Sequence, residues 1–435
     1  MATTATFHII MFPWFAMGHI TPYLQLSNKL AEKGHKVSFF IPKNTQNKVN
    51  HLNLHPQLIH FIPLTIPHVD GLPLGTETMS EVPVTKSPFL LRALDLTQEQ
   101  VEPTLQNLKP DFIFFDFAYW IPSLAHTLGI KSVFFSVVSA VARGYHMGNP
   151  QLSNLKPSLS KDRTLMSTEI DGRISFVNRL LTANNESDAH CFRACSEMEG
   201  QSCEYLKNLY KKEVLLTGPI LPEPSDNPLE ERWAKWLAGF ERESVVYCAF
   251  GSECVLEKNQ FQELVLGLEQ TGLPFFVRLK PPFGAETLEE ALPEGFEERV
   301  RGRGVVYGGW VQQQQILNHP SVGCFVSHGG SASIWESLAS TCQIVFLPHF
   351  GAQFVDSEYM TENLKVSVTV ERRDEDGWFT RESVCKAVNL LMDEGSAVGE
   401  EIRANHHKWK EFLLSKGLES SYINNLIHKL QDMLK

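Results

Sequence analysis

Four places in this sequence set a polar side chain at the end of an apolar run, and the residue types suggest chemistry. In "WFAMGHITP" the pair Gly18-His19 follows such a run and opens a helical pattern. An imidazole there can take a proton from an attacking hydroxyl, or it can cap the helix. In "FFDFAYW" Asp116 closes a run of phenylalanines. Its carboxylate can hold the imidazole in one tautomer and offset imidazolium charge, or it can be the N-cap of the helix "YWIPSLAHTLG". His126 is a second available partner but sits in mid-helix, so it ranks below His19. In "FGSEC" the N–H groups and hydroxyl of Gly251-Ser252 suit a phosphate, although Gly-Ser alone is only a turn. In "HGGSASIWES" His328 and Ser333 open a helix whose free N–H groups and dipole favour an anion, here a diphosphate bound without lysine or metal. Glu336 follows three residues later on the same face and can accept the vicinal hydroxyls of a ribose. Ser333 and Glu336 also have the spacing of a capping box, which the local sequence leaves open.

These residues need elements to carry them. Short runs rich in β-branched and aromatic residues ("FHIIMFPW", "HKVSFFIP", "LIHFIPLTI", "DFIFFDF", "SVFFSVV") alternate with helical patterns such as "HITPYLQLSNKLAEKG". Such runs are expected as parallel strands buried on both faces. Residues 148–171 dissolve into Asn, Ser, Pro and Lys and read as a surface loop. After the proline-rich, acidic stretch 216–231, read as a linker, the alternation restarts with "SVVYCAFGS", "PFFVRLK", "GVVYGGW", "VGCFVSHGG", "CQIVFLPHFG" and "VSVTVER". The tail from Arg403 to Lys435 is helical by pattern. The expected fold is therefore α/β, with two doubly wound domains facing across a cleft. The divisions are 1–215, a linker at 216–231, 232–415, and a C-terminal helix at 416–435 packing back on the first domain.

Composition narrows the partners. The 435 residues suit two domains. With 39 basic and 50 acidic residues the net charge is −11, which disfavours nucleic acid. No run of 18 apolar residues offers a transmembrane helix. The opening "MATTATFHIIMFPWF" lacks the basic start of a signal peptide and reads as a first buried strand. The eight cysteines are scattered in mostly apolar surroundings with no paired metal signature, as reduced core thiols of a cytoplasmic protein would be. Neither a Walker lysine nor an ordered Gly-x-Gly-x-x-Gly is present, so ATPase and dehydrogenase readings fail.

From Trp310 through Gln353, without a gap, the chain resembles the donor-binding box of plant UDP-sugar-dependent glycosyltransferases of the inverting, GT-B type. The resemblance implies a uracil-stacking Trp310 with Val311 beside it and a uracil-bonding Gln313. It implies diphosphate contacts at His328, Gly330 and Ser333, with Ser331 and Ala332 alongside. It places Glu336 at the ribose, and Ala352 and Gln353 at the sugar. It extends to His19 as catalytic base, Asp116 as its partner and Ser252 as a further donor contact. The phrases "CAFGS", "EALPEGFEERVRGRGVVYGGWVQQ" and "LLTGPILPEP" are most similar to the branch that adds a sugar to a flavonoid or anthocyanin glycoside. The implied partners are a UDP-sugar co-substrate and a small hydrophobic glycoside, with no metal, and the chain is expected as a monomer.

Two places, three residues in all, depart from the family. Ser331-Ala332 stands where Trp-Asn is usual, although the glycoside-extending branch often varies there. Ala352 replaces an Asp or Glu that receives sugar hydroxyls, a charged hydrogen bond worth about 1.5–3 kcal/mol. The departures imply either an altered donor sugar or weakened sugar binding, with His349 and Gln353 available to compensate. A UDP-sugar binder with little transfer activity is the competing reading, against which stand His19 and Asp116. A terpenoid or other aglycone is the alternative acceptor. Acceptor contacts are expected from "FPWFAMGH", "SVVSAVARGYH" and the 148–171 segment.

Overall fold

The computed structural model describes residues 6–156, 174–221, 228–373 and 375–435. The chain forms two compact units. The first comprises Met1–Asn149, Arg163–Ile220 and Lys416–Lys435, and the second Pro150–Asp162 and Leu221–Ser415. Residues 157–171 of the expected surface loop and 222–227 of the expected linker lie outside the described residues.

The first unit holds a seven-stranded sheet of β1 (His8–Phe12), β2 (Lys36–Pro42), β3 (Ile59–Leu64), β4 (Phe112–Phe115), β5 (Lys131–Ser136), β6 (Ala189–Phe192) and β7 (Glu213–Leu216). Its order is β3-β2-β1-β4-β5-β6-β7, and every pairing is parallel. Side chains alternate between faces along a strand. Ile9, Met11, Phe114 and Phe135 fill the core on one face, while Ile10, Phe12, Phe115 and Phe134 fill the other. Burial on both faces explains why the strands read as unbroken apolar runs. The helix Leu418–Met433 adds Ile423, Leu426, Ile427 and Leu430 to the first of these cores.

β6 and β7 did not stand out as strands in the sequence. Both are as short as β4, but each includes a polar residue, His190 in one and Glu213 in the other. β6 places His190 in a core position beneath Tyr210, and β7 runs directly into the prolines of the linker stretch.

The second unit has six parallel strands, one for each apolar run of the second half: β8 (Val245–Ala249), β9 (Phe275–Arg278), β10 (Gly304–Tyr307), β11 (Val322–Ser327), β12 (Gln343–Phe346) and β13 (Ser367–Thr369). Their order is β10-β9-β8-β11-β12-β13. Again the two faces are filled separately, by Val246, Cys248 and Val326 on one side and by Tyr247 and Phe325 on the other. The C-terminal tail is two helices, Ala397–Leu413 and Leu418–Met433, broken at Gly417, whose φ of 86° ends helical geometry.

Both sheets contain one place where the strand order reverses. In the first it lies between β1 and β4, and in the second between β8 and β11. The loops leaving such a pair of strands diverge and open a crevice at their carboxyl ends. All four of the polar positions singled out in the sequence follow one of these four strands.

Candidate functional site

In the first unit His19 lies in the opening turn of helix Met17–Glu32, after β1, and Asp116 is the residue after β4. They are 97 positions apart in the chain. The reversal between β1 and β4 brings them together, and His19 Nδ1 lies 2.6 Å from Asp116 Oδ2. An ionised carboxylate only accepts hydrogen bonds, so Nδ1 carries the proton and the Nε2 lone pair is left as a base. The other Asp116 oxygen, Oδ1, accepts the Phe117 backbone N–H at 2.6 Å. The Asp116 side chain is 3% exposed and that of His19 17%, so the pair meets solvent only through its histidine.

The simpler roles for these residues do not hold. The N-cap of helix Ile121–Leu128 is Trp120, not Asp116. That of the first helix is Ala16. His126 is exposed on helix Ile121–Leu128.

In the second unit β11 runs into His328-Gly329-Gly330 and then helix Ser331–Ala339, whose N-cap is Gly330. Neither glycine tolerates a side chain. Gly329 has φ of 77°, and a Cβ on Gly330 would lie 2.5 Å from His328 Nε2. The His328 ring also lies against Gly251, the turn that carries Ser252 after β8. Ser331, Ala332 and Ser333 form the first helical turn, whose N–H groups have no acceptor within the helix. With Gly330 as the cap, the capping-box alternative for Ser333 and Glu336 does not apply.

Glu336 instead accepts from Gln313 Nε2 at 2.6 Å, and Ser333 Oγ lies 3.5 Å from the same nitrogen. The hydroxyl of Tyr247, fully buried in β8, donates to Gln313 Oε1 at 3.4 Å. A carboxylate on one side and a hydroxyl donor on the other thus determine which way the amide faces. Val311 is buried as an anchor, while Trp310 beside it is 73% exposed, an indole face open for stacking. At the far end Gln353 Oε1 accepts the N–H groups of His349 (3.0 Å) and Phe350 (3.3 Å), which commits its oxygen and leaves its NH₂ as a donor. Ala352, the first residue of helix Ala352–Glu362, adds no acceptor in its side chain.

Three supports were not recognised in the sequence. Arg278, at the end of β9, donates to Gly309 O and Gly251 O at 2.9 Å each, tying the Trp310 loop to the Ser252 turn. Its signal was available, since a charged residue closes the apolar run "PFFVR" just as Asp116 closes its own. The Gln312 side chain accepts the Glu230 N–H at 2.9 Å and donates to Pro228 O at 2.7 Å, which holds the chain entering this unit. Arg179 belongs to the first unit and bonds the carbonyl of Phe117 at 2.9 Å. No local pattern marks the last two.

Burial pushes the His328 imidazole down to about 4, so it is neutral near pH 7. His190, in β6, and His406, which meets Ser337 O at 3.1 Å behind the same helix, are also lowered to about 4, chiefly by burial. Above pH 6.5 these rings are neutral in folded and unfolded chains alike. As the pH falls below 6.5 the unfolded chain takes up protons that the folded one refuses. Stability is therefore lost between pH 6.5 and about 4, by roughly 3 kcal/mol per ring at the low end. Thermal unfolding followed by calorimetry is expected to show the midpoint falling steadily from pH 7 to pH 5. A flat profile would show the rings charged in the fold.

Among the described residues no group of three or more His, Cys, Asp or Glu could hold a metal ion. All eight cysteines are free thiols. No described helix is long and apolar enough to cross a membrane.

Two doubly wound units of this kind define the GT-B fold class. A solved glycosyltransferase of Glycyrrhiza uralensis, UGT73P12, shares this fold with a TM-score of 0.84 at 22% identity, covering 99% of this chain and 96% of its own. The family model described as UDP-glucoronosyl and UDP-glucosyl transferase matches residues 220–397. Curated relatives include the cyanidin 3-O-galactoside 2''-O-xylosyltransferase FGGT1 of Actinidia chinensis var. chinensis, 52% identical over 99% of both chains. The anthocyanidin 3-O-glucoside 2''-O-glucosyltransferase of Ipomoea nil is 48% identical, over 99% of this chain and 98% of its own. The chain belongs to this UDP-sugar-dependent glycosyltransferase family, and its co-substrate is a UDP-sugar.

Proposed function

We propose that this enzyme lengthens the sugar chain of a flavonoid or anthocyanin 3-O-glycoside. His19 Nε2 takes the proton from an acceptor sugar hydroxyl, whose oxygen attacks the anomeric carbon of the donor from the face opposite UDP and inverts it. Asp116 keeps His19 in the tautomer that can act and balances the imidazolium as it forms. The leaving diphosphate is held by the first turn of helix Ser331–Ala339 with Ser333, His328 and Ser252. Trp310 and Gln313 hold the uracil, and Glu336 the ribose. The observation that carries the reading is the 2.6 Å contact between His19 and Asp116, which binding alone would not require. The acceptor class is supported by what the relatives of Actinidia and Ipomoea are named for.

On this reading the acceptor belongs to residues 1–215 and the donor to 232–415, joined at 216–231, with the helix of 416–435 serving the first. One chain holds both halves of the chemistry, which supports a monomer. Eight free thiols support a cytoplasmic location. The test is a transfer assay with a flavonol 3-O-glucoside and its aglycone, each against UDP-glucose, UDP-xylose, UDP-galactose and UDP-rhamnose, with products read by mass. A diglycoside from the glycoside is expected. Product from the aglycone alone would overturn the chain-extension reading.

A second reading, a UDP-sugar binder with weakened transfer, is favoured by Ala352. Ala352→Asp is expected to lower the KM for UDP-glucose up to about tenfold, by restoring a charged hydrogen bond. An unchanged KM would show that the sugar lies away from this position.

A further inference from the structure

The dyad is held by more than its own hydrogen bond, and the support converges on Phe117. The backbone N–H of Phe117 is bonded to Asp116 Oδ1 at 2.6 Å, and its ring meets the His19 ring edge-on at 5.1 Å. Its carbonyl accepts from Arg179 Nη1 at 2.9 Å. Arg179 lies in helix Phe176–Glu186, is almost fully buried, and forms a two-bond fork with Asp95, 2.6 Å on each arm. The guanidinium also lies over the Tyr119 ring at 4.8 Å.

A planar guanidinium that grips a carboxylate with both nitrogens has little freedom to rotate, so its third bond sets the position of the Phe117 carbonyl. The Phe117 N–H and carbonyl lie in the two planar peptide groups that meet at its Cα, so with both bonded only coordinated changes in φ and ψ of Phe117 can shift the N–H that orients Asp116. Burying a guanidinium is costly unless it is paired. Here it is paired on a residue that touches no part of the dyad. We infer that Arg179 is a positioning residue for transfer, with Asp95 holding it, and that it acts on His19 and Asp116 through the peptide and ring of Phe117. The inference rests on the reading of His19 and Asp116 as the transfer dyad.

The experiment compares Arg179→Met, Asp95→Asn and Arg179→Lys with the native enzyme, using His19→Ala and Asp116→Ala as references. Steady-state kinetics with UDP-sugar and glycoside are combined with NMR of ¹⁵N-histidine-labelled protein, in which the His19 Nδ1–H signal is assigned by its loss in His19→Ala. Arg179→Met is expected to lower kcat by about ten- to a hundredfold, with the donor KM within about twofold, and to shift the His19 signal. Arg179→Lys, which keeps the charge and a donor, should recover part of both. Asp95→Asn is a milder break that gives the same pair of changes if Arg179→Met does not fold. A rise in donor KM at constant kcat, or a lower kcat with the His19 signal unmoved, would overturn the inference. Retained transfer in His19→Ala would instead overturn the dyad itself, so the two failures can be told apart.

Discussion

Replacing His19 by alanine is expected to lower kcat by about 10²- to 10⁴-fold, the range for loss of a positioned general base, while leaving UDP affinity unchanged. The separation follows from the fold. His19 belongs to the crevice of the first sheet, between β1 and β4, whereas the indole, amide, carboxylate and hydroxyl groups read as the nucleotide site belong to the second unit. Asp116→Asn should act in the same direction, because an amide can present its NH₂ to Nδ1 and favour the wrong tautomer. Calorimetric titration of UDP into each variant, together with product formation measured by mass, tests the claim. Loss of UDP affinity along with transfer would make His19 a structural residue. Transfer within about tenfold of native would remove it from the reaction.

The second large effect is expected at Glu336. Its carboxylate holds the Gln313 amide at 2.6 Å and is read as the acceptor for the ribose hydroxyls. Glu336→Ala should raise the donor KM by about ten- to a hundredfold, the equivalent of roughly 1.5–3 kcal/mol for a lost charged hydrogen bond. The truncation also frees the Gln313 amide to turn, so the loss should extend to free UDP and uridine. Glu336→Gln, which keeps an acceptor oxygen, should fall between the two. Acceptor KM should not move. A donor KM within twofold of native in Glu336→Ala would show that the ribose lies elsewhere.

Much of this architecture was legible because the strands are buried on both faces. An apolar run of strand length followed by one polar residue marks both a strand and its carboxyl end, and this signal placed His19, Asp116, Ser252 and His328 after β1, β4, β8 and β11. It failed at β6 and β7. There the neighbouring Asn, Ser, Asp and Pro residues speak louder than Ala-His-Cys-Phe or Glu-Val-Leu-Leu, which carry a His and a Glu where β4 has only Phe and Ile. The pairing of His19 with Asp116 had no local trace, since it depends on β4 returning beside β1. Arg179 illustrates the deeper limit. Its two partners, Asp95 and the carbonyl of Phe117, lie 84 and 62 positions away, so only the folded chain shows what it does. The capping-box spacing of Ser333 and Glu336 stayed open in the sequence, and only the fold decides it, because Gly330 is the residue that caps the helix.

The grip of Gln312 on residues 228 and 230 is made entirely to main-chain atoms, a carbonyl and an N–H. Side chains at those two places can therefore drift without the loop of Trp310 and Gln313 noticing. Adding or removing a single residue beyond Pro228 would present the wrong atoms to the amide. The contact works as a ruler, indifferent to composition and strict about length. A chimera that imports a relative's joining segment should keep its nucleotide affinity when the spacing up to Gln312 is preserved, however dissimilar the imported residues are.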